Sequence, residues 1–103
     1  MRIYGIKTCD TCRKAVRELN AELRDIRAEP LSTEDIARFL AAFGDALVNT
    51  RSTTWRGLDA DARQARPEDL LAAHPTLMKR PVIETAEGAL YLGWGAEVKA
   101  RLL

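Results

Sequence analysis

Two cysteines, Cys9 and Cys12, constrain the fold more than any other feature, because they stand where a short apolar segment meets an amphipathic one. Residues 2–6 (RIYGI) predict a short strand. Residues 11–22 (TCRKAVRELNAE) carry apolar side chains three to four positions apart, which predicts a helix. Cys9 therefore lies at the predicted start of this helix, and Cys12 lies about one turn further on. A strand that turns directly into a helix is typical of an α/β protein.

The rest of the chain predicts three further strands: one soon after the first helix and two near the C-terminal end. Residues 23–28 (LRDIRA) alternate apolar and polar side chains, as a half-buried strand does. Ser32 predicts the N-cap of a helix over STEDIARFLAAF, and Pro67 predicts the start of another. The remaining predicted elements are a helix at 68–73, hairpin strands at 80–84 and 89–92 joined by TAEG, and a last helix at 95–103.

This order of elements predicts an α/β, thioredoxin-like fold. We expect a four-stranded mixed sheet flanked by helices, with a helical insertion over about 33–75 between the βαβ half and the ββα half. A chain of 103 residues fits a single domain, 1–103, and 47% hydrophobic residues suffice for a core.

Charge and hydropathy restrict the location and the partners. The net charge of +1 argues against a surface that binds nucleic acid directly or coats a membrane. No apolar run reaches the roughly 18 residues of a membrane span, and no signal sequence is visible at the N-terminus. We therefore expect a cytoplasmic protein, and in that compartment a close cysteine pair is more often catalytic, sensing or metal-binding than structural.

The position of Cys9 predicts a reactive thiol. Unpaired N–H groups and the positive end of the helix dipole stabilise a thiolate in the first turn, which lowers its pKa. Lys7 and Arg13 are close enough in sequence to lower the pKa of Cys9 further. In a pair of this kind the second thiol, here Cys12, is the more buried one and resolves a mixed disulfide.

Two threonines of the same loop are candidate ligands of a substrate. Thr8 and Thr11 can donate hydrogen bonds to sulfur or to a bound oxyanion. Two other interpretations of the cysteines remain. Both thiols could simply fill space in the core. A zinc site would have to be intermolecular, because zinc usually takes four N or S ligands and the chain offers two Cys and one His.

Five ordered segments resemble the arsenate reductase-like family, which includes glutaredoxin-like reductases such as the YffB branch and the Spx-type transcription regulators. They are IYGIKTCDTCRKA, AEPLSTEDI, NTRSTTWRGLD, HPTLMKRPVI and LGWGAEVKARL. The resemblance implies a thioredoxin-like fold in which Cys9 attacks an oxyanion or forms a mixed disulfide with a small thiol. It also implies that Arg80 is a catalytic arginine and that Pro81, in the third strand, follows a cis peptide bond.

Within this family the chain resembles the glutaredoxin-like reductases more than the true arsenate reductases. Arsenate reductases of the family hold the anion with three arginines, of which Arg80 matches one. Asn49 and Gly93 stand at the other two positions, and Arg51 lies two residues beyond Asn49. Arg51 can still bind an anionic group through its two-pronged guanidinium.

The resemblance leads to one principal hypothesis and two alternatives. The principal hypothesis is a thiol–disulfide oxidoreductase with no bound cofactor, which uses glutathione as thiol co-substrate and acts on a small thiol or oxyanion. Cys9, Cys12, Arg13 and Arg80 would be its catalytic residues, and Lys7, Thr8, Thr11, Arg51 and Pro81 would bind the substrate. The first alternative is a redox-sensing regulator of the Spx type that binds the α subunit of RNA polymerase. The second is a protein that keeps the fold and has lost the activity.

Overall fold

The computed structural model describes residues 1–103, which form two compact units. The first unit combines Met1–Glu29 with Arg80–Leu103, and the second comprises Pro30–Lys79. The first contains β1 (Arg2–Gly5), α1 (Asp10–Leu19), β2 (Glu22–Asp25), β3 (Val82–Glu84), β4 (Leu90–Leu92) and α6 (Ala96–Leu102). The second contains α2 (Thr33–Phe43), α3 (Thr53–Arg56), α4 (Ala60–Arg63), α5 (Pro67–Ala73) and 3-10 turns at Gly44–Leu47 and Pro75–Leu77.

The first unit is built on the predicted four-stranded mixed sheet, with strand order β2-β1-β3-β4. β1 pairs with β2 in parallel and with β3 antiparallel, and β3 pairs antiparallel with β4. The two central strands are covered on both faces, so adjacent side chains such as Ile3 and Tyr4 are both buried. The α/β, thioredoxin-like fold predicted from the sequence is thereby confirmed. The prediction of one domain with a helical insertion stays a prediction.

One face of the sheet forms the core that holds α1 in place. Ile3, Ala15, Ile83 and Trp94 are its buried centre. The partly buried side chains packed against that centre come from α1, α6, β2, β4 and the connection before β2: Val16, Leu19, Ala21, Leu23, Tyr91, Val98 and Leu102. The amphipathic spacing of α1 therefore places one helical face against the sheet, and Cys12, one turn before Ala15 and Val16, belongs to that face.

Three elements have a boundary that differs from the sequence prediction by two residues or more. α1 covers Asp10–Leu19 rather than 11–22, because Asn20 adopts the left-handed conformation (φ 50°) and ends the helix. β2 covers Glu22–Asp25 rather than 23–28, because the Asp25 carboxylate draws the following N–H groups into a turn. The strand predicted at 80–84 begins at Val82.

The second unit is helical, and its capping follows the sequence. Ser32 Oγ accepts the Asp35 N–H at 3.1 Å, which confirms the predicted N-cap of α2. Ile36 and Phe39 are the buried residues of α2, and Leu70 and Leu71 are those of α5. The short helices α3 and α4 were not predicted. The longest helix of the chain has 11 residues, and none meets the length and hydrophobicity that a bilayer span requires.

Candidate active site

The candidate site is the loop between β1 and α1, and Cys9 is the residue that joins the loop to the helix. Cys9 has extended backbone angles (φ −84°, ψ 119°) and is the N-cap of α1. Its N–H donates to the Ile6 carbonyl at 3.0 Å, and its own carbonyl accepts the Arg13 N–H at 3.0 Å. The thiol is half-buried and makes no capping hydrogen bond. Cys9 therefore stands where the sequence predicts it, beside the free N–H groups of a helix start.

Cys12 lies one turn further along the same helix and is fully buried. Its sulfur packs against the backbone of β1 at Gly5, so closely that a Cβ on Gly5 would overlap Cys12 Sγ. Gly5 is therefore required by the close approach of helix and strand rather than by an unusual backbone angle. Both thiols are free, so the structure shows the reduced pair.

The two thiols have opposite ionisation behaviour. Partial burial raises the pKa of Cys9, but hydrogen bonds from the Cys12 N–H and thiol, together with the hydrogen bond and charge of Arg80, bring the net pKa below its ordinary value. Burial raises the pKa of Cys12 to about 12, and the neighbouring Cys9 adds to the increase. The arrangement thus separates a thiolate-forming sulfur from a sulfur that keeps its proton.

Arg80 and Pro81 come from the far end of the chain and belong to the same unit as the cysteines. The Arg80–Pro81 peptide bond is cis, as the resemblance implied, and Pro81 is buried. The Pro81 carbonyl accepts the Gly93 N–H at 2.7 Å, which ties the start of β3 to the end of β4. Arg80 is the cation with the strongest effect on Cys9, whereas sequence proximity pointed to Lys7 and Arg13.

The other predicted residues of the loop face solvent. Lys7, Thr8, Thr11 and Arg13 are all exposed, so their side chains are available to a ligand. The Lys7 N–H, by contrast, is fixed, because it donates to the Asp25 carboxylate at 3.0 Å. The structure thus places Lys7 and Thr8 on the loop and Thr11 and Arg13 in the first turn of α1, beside the cysteines, and leaves their contribution to substrate binding a prediction.

Arg51 belongs to the second unit, where its guanidinium is exposed. Its N–H donates to Asn49 Oδ1 at 3.0 Å and its carbonyl accepts from Arg56 Nη2 at 2.9 Å, so the backbone is fixed in a turn. Arg51 and Lys79 line an open cavity of about 510 Å³, and no acidic side chain lines it. The surroundings of Arg51 therefore suit an anionic group.

Sequence reasoning missed two residues that shape the site, Gly5 and Asp25. The signal for Gly5 was present, since an isolated glycine in an apolar strand often marks a close backbone approach. Asp25 carried a weaker signal, because aspartate is depleted within strands and favoured where a strand ends. Its contact with the Lys7 N–H joins residues 18 positions apart, which no local pattern indicates.

A family model and several known proteins are similar to this chain in sequence. Residues 4–100 match the sequence model of the ArsC family. A protein of Haemophilus influenzae whose function is uncharacterised is 40% identical over 91 residues, covering 79% of this chain and 80% of the relative. The global transcriptional regulator Spx of Streptococcus pyogenes is 29% identical over 87 residues, covering 74% of this chain and 65% of the regulator.

Two solved structures share the fold over nearly the whole chain. A protein named YFFB has a TM-score of 0.86 at 30% identity, covering 99% of this chain and 97% of its own. An arsenate reductase (ArsC) related protein of Brucella melitensis has a TM-score of 0.73 at 34% identity, covering 97% of this chain and 91% of its own.

Proposed function

Because the chain belongs to the ArsC family, we propose that it is a thiol–disulfide oxidoreductase that uses Cys9 as nucleophile and glutathione as co-substrate. The observation that carries the proposal is the asymmetric pair, in which Cys9 has a lowered pKa and Cys12 is buried with a raised one. A thiolate is the attacking species in disulfide exchange, and a protonated partner one turn away can serve afterwards as resolving thiol.

The proposed cycle begins with the Cys9 thiolate and a mixed disulfide of glutathione. Cys9 Sγ attacks the glutathione sulfur, a Cys9–glutathione disulfide forms, and the substrate leaves as a thiolate that takes up a proton. Cys12 then loses its proton and attacks Cys9 Sγ, which forms the Cys9–Cys12 disulfide and releases glutathione. Two further glutathione molecules reduce this disulfide and leave as oxidised glutathione. Because one glutathione is released earlier in the cycle, the net consumption is one glutathione per turnover.

The charged groups have separate roles in this cycle. Arg80 donates to the Cys9 sulfur and stabilises both the attacking thiolate and the same thiolate when it leaves. Arg13 and Lys7, exposed on either side of Cys9, attract the anionic substrate. Arg51 belongs to the second unit, and its role as ligand of a glutathione carboxylate stays a prediction from the sequence.

Reduction of a glutathione mixed disulfide by wild-type protein, Cys9→Ser and Cys12→Ser tests the proposal. We expect wild-type turnover, none with Cys9→Ser, and a reduced rate with Cys12→Ser that recovers at high glutathione. Turnover by Cys9→Ser at the wild-type rate would contradict the proposal. A parallel assay with arsenate should show little activity, because only Arg80 matches the three arginines of the reductases in this family.

A redox-sensing regulator is the second candidate, and the similarity to Spx favours it. In that role oxidation of Cys9 and Cys12 to a disulfide would change the affinity for the α subunit of RNA polymerase. Pull-down with the C-terminal domain of that subunit, in reduced and oxidised states, tests this candidate. Absence of binding in both states would exclude it.

A further inference from the structure

Asp25 lies outside the loop between β1 and α1 that carries Cys9, hereafter the cysteine loop, and holds that loop through a hydrogen bond. It ends β2, and its backbone lies beside Gly5 in the parallel register with β1. The two strands remain joined beyond this point, because the Ile26 N–H donates to the Gly5 carbonyl at 2.9 Å. The Asp25 side chain therefore starts at the strand end from which the cysteine loop departs.

The two carboxylate oxygens of Asp25 have different partners. Oδ1 accepts the N–H groups of Arg27 at 2.8 Å and Ala28 at 3.3 Å, which shapes the turn after β2. Oδ2 accepts the Lys7 N–H at 3.0 Å, two residues before Cys9. One carboxylate thus fixes its own turn with one oxygen and the neighbouring loop with the other.

We infer that Asp25 is a positioning residue for Cys9, and that the hydrogen bond from the Lys7 N–H to Asp25 Oδ2 holds the loop so that the Cys9 sulfur meets its hydrogen-bond donors. This inference rests on the proposed thiol chemistry at Cys9. Between the fixed N–H of Lys7 and the N-cap at Cys9 there is only Thr8, so little chain remains to absorb a shift. The bond from the Cys9 N–H to the Ile6 carbonyl closes the same short loop.

The charge of Asp25 and its hydrogen bond act on Cys9 in opposite directions. A negative charge near a thiol disfavours the thiolate, so removal of the charge alone should lower the pKa of Cys9. Release of the loop should instead weaken the donation from Cys12 and Arg80 to the Cys9 sulfur and raise that pKa. The sign of the change therefore separates positioning from simple electrostatics.

Asp25→Asn is the sharpest variant, because an amide keeps one acceptor for the turn and places an NH₂ donor against the Lys7 N–H. Asp25→Ser is the second, because its short side chain can still support the turn but does not extend as far towards Lys7. Asp10→Asn is the matched control: it removes a charge directly after Cys9, and no loop N–H depends on that side chain.

The measurements are the pH dependence of Cys9 alkylation and the hydrogen exchange of the Lys7 amide. We expect both Asp25 variants to speed exchange at Lys7 and to raise the pKa of Cys9 by about half a unit or more, a threefold loss of thiolate at low pH. Asp10→Asn should lower that pKa or leave it unchanged. If a folded Asp25 variant lowers or keeps the pKa of Cys9, the positioning role is wrong. An ordinary Cys9 pKa in the wild-type protein would instead overturn the proposed function.

Discussion

Substitution of Gly5 by alanine should destabilise the protein through a single contact, the one with Cys12. A Cβ at this position would overlap Cys12 Sγ and lie 3.1 Å from Cys12 Cβ. Both neighbours are fixed, because Gly5 pairs with Asp25 in the sheet and Cys12 lies on the buried face of α1. Excess volume in a packed core costs about 1–3 kcal/mol, and the lower chain entropy of alanine offsets about 0.4–1 kcal/mol of this. We expect a net loss of about 1–2 kcal/mol.

Cys12→Ala should cost about 1 kcal/mol by itself, since it removes one buried atom and leaves a small cavity. In the double variant the new methyl group at position 5 occupies the space that the sulfur leaves. The double variant should therefore be about as stable as Cys12→Ala alone. The corresponding coupling energy between the two sites is at least about 1 kcal/mol, well above the deviation of about 0.3–0.5 kcal/mol seen for independent sites.

Urea unfolding under reducing conditions, followed by tryptophan fluorescence, measures the free energy of unfolding of the wild type, the two single variants and the double variant. Gly57→Ala is the control, because the nearest atom to its Cβ beyond its chain neighbours would be the Thr54 carbonyl oxygen at 3.5 Å, an ordinary contact. That variant should show no coupling with Cys12→Ala. If the losses of Gly5→Ala and Cys12→Ala simply add, the close approach of α1 to β1 is not as described.

Three further outcomes follow from the contacts of the site and its supports. Arg80→Gln should raise the pKa of Cys9 by about one unit, since a charge-assisted bond at a half-exposed site is lost; an unchanged alkylation profile would contradict this. Ser32→Ala should lower the free energy of unfolding by about 1 kcal/mol through loss of the α2 N-cap, and an unshifted urea midpoint would argue against the cap. The N–H groups of Lys7, Arg27 and Ala28 hold the pKa of Asp25 below its ordinary 3.8. The stability that the ionised carboxylate contributes is therefore complete above that value and is lost as pH falls through the lower native pKa. The stability difference between wild type and Asp25→Asn should therefore shrink below about pH 4, and a constant difference would contradict the assignment.

The order of helices and strands along the chain and the N-cap of α2 were accessible from the sequence because they depend on local patterns. Alternation and helical spacing identified the strands and α1, and Ser32 identified the start of α2. The element ends were less accessible. Asn20 ends α1 through a left-handed backbone that its neighbours do not indicate, and Asp25 ends β2 because its side chain binds the N–H groups that follow.

The residues of the candidate site also differ in how far local sequence patterns indicated them. Cys9 and Cys12 were identified from their spacing and from the helix start, and the difference in burial between them follows from the period of α1. Sequence proximity indicated Lys7 and Arg13 as cations that act on Cys9, whereas Arg80 has the strongest effect. Arg80 is 71 positions away along the chain, so only the family resemblance, and not local spacing, indicated it. Contacts made through the sheet, such as Asp25 with the Lys7 N–H, had no sequence signal of comparable strength.

The most direct test of the account is alkylation of the native, reduced protein across a pH series, with the modified cysteine identified by mass spectrometry. The account predicts that Cys9 reacts with a midpoint below that of an ordinary thiol, while Cys12 stays unmodified until the pH is several units higher. Unfolding in urea should make both cysteines react alike, which provides the internal control. Equal reactivity of the two thiols in the native protein, or faster reaction of Cys12, would contradict the account.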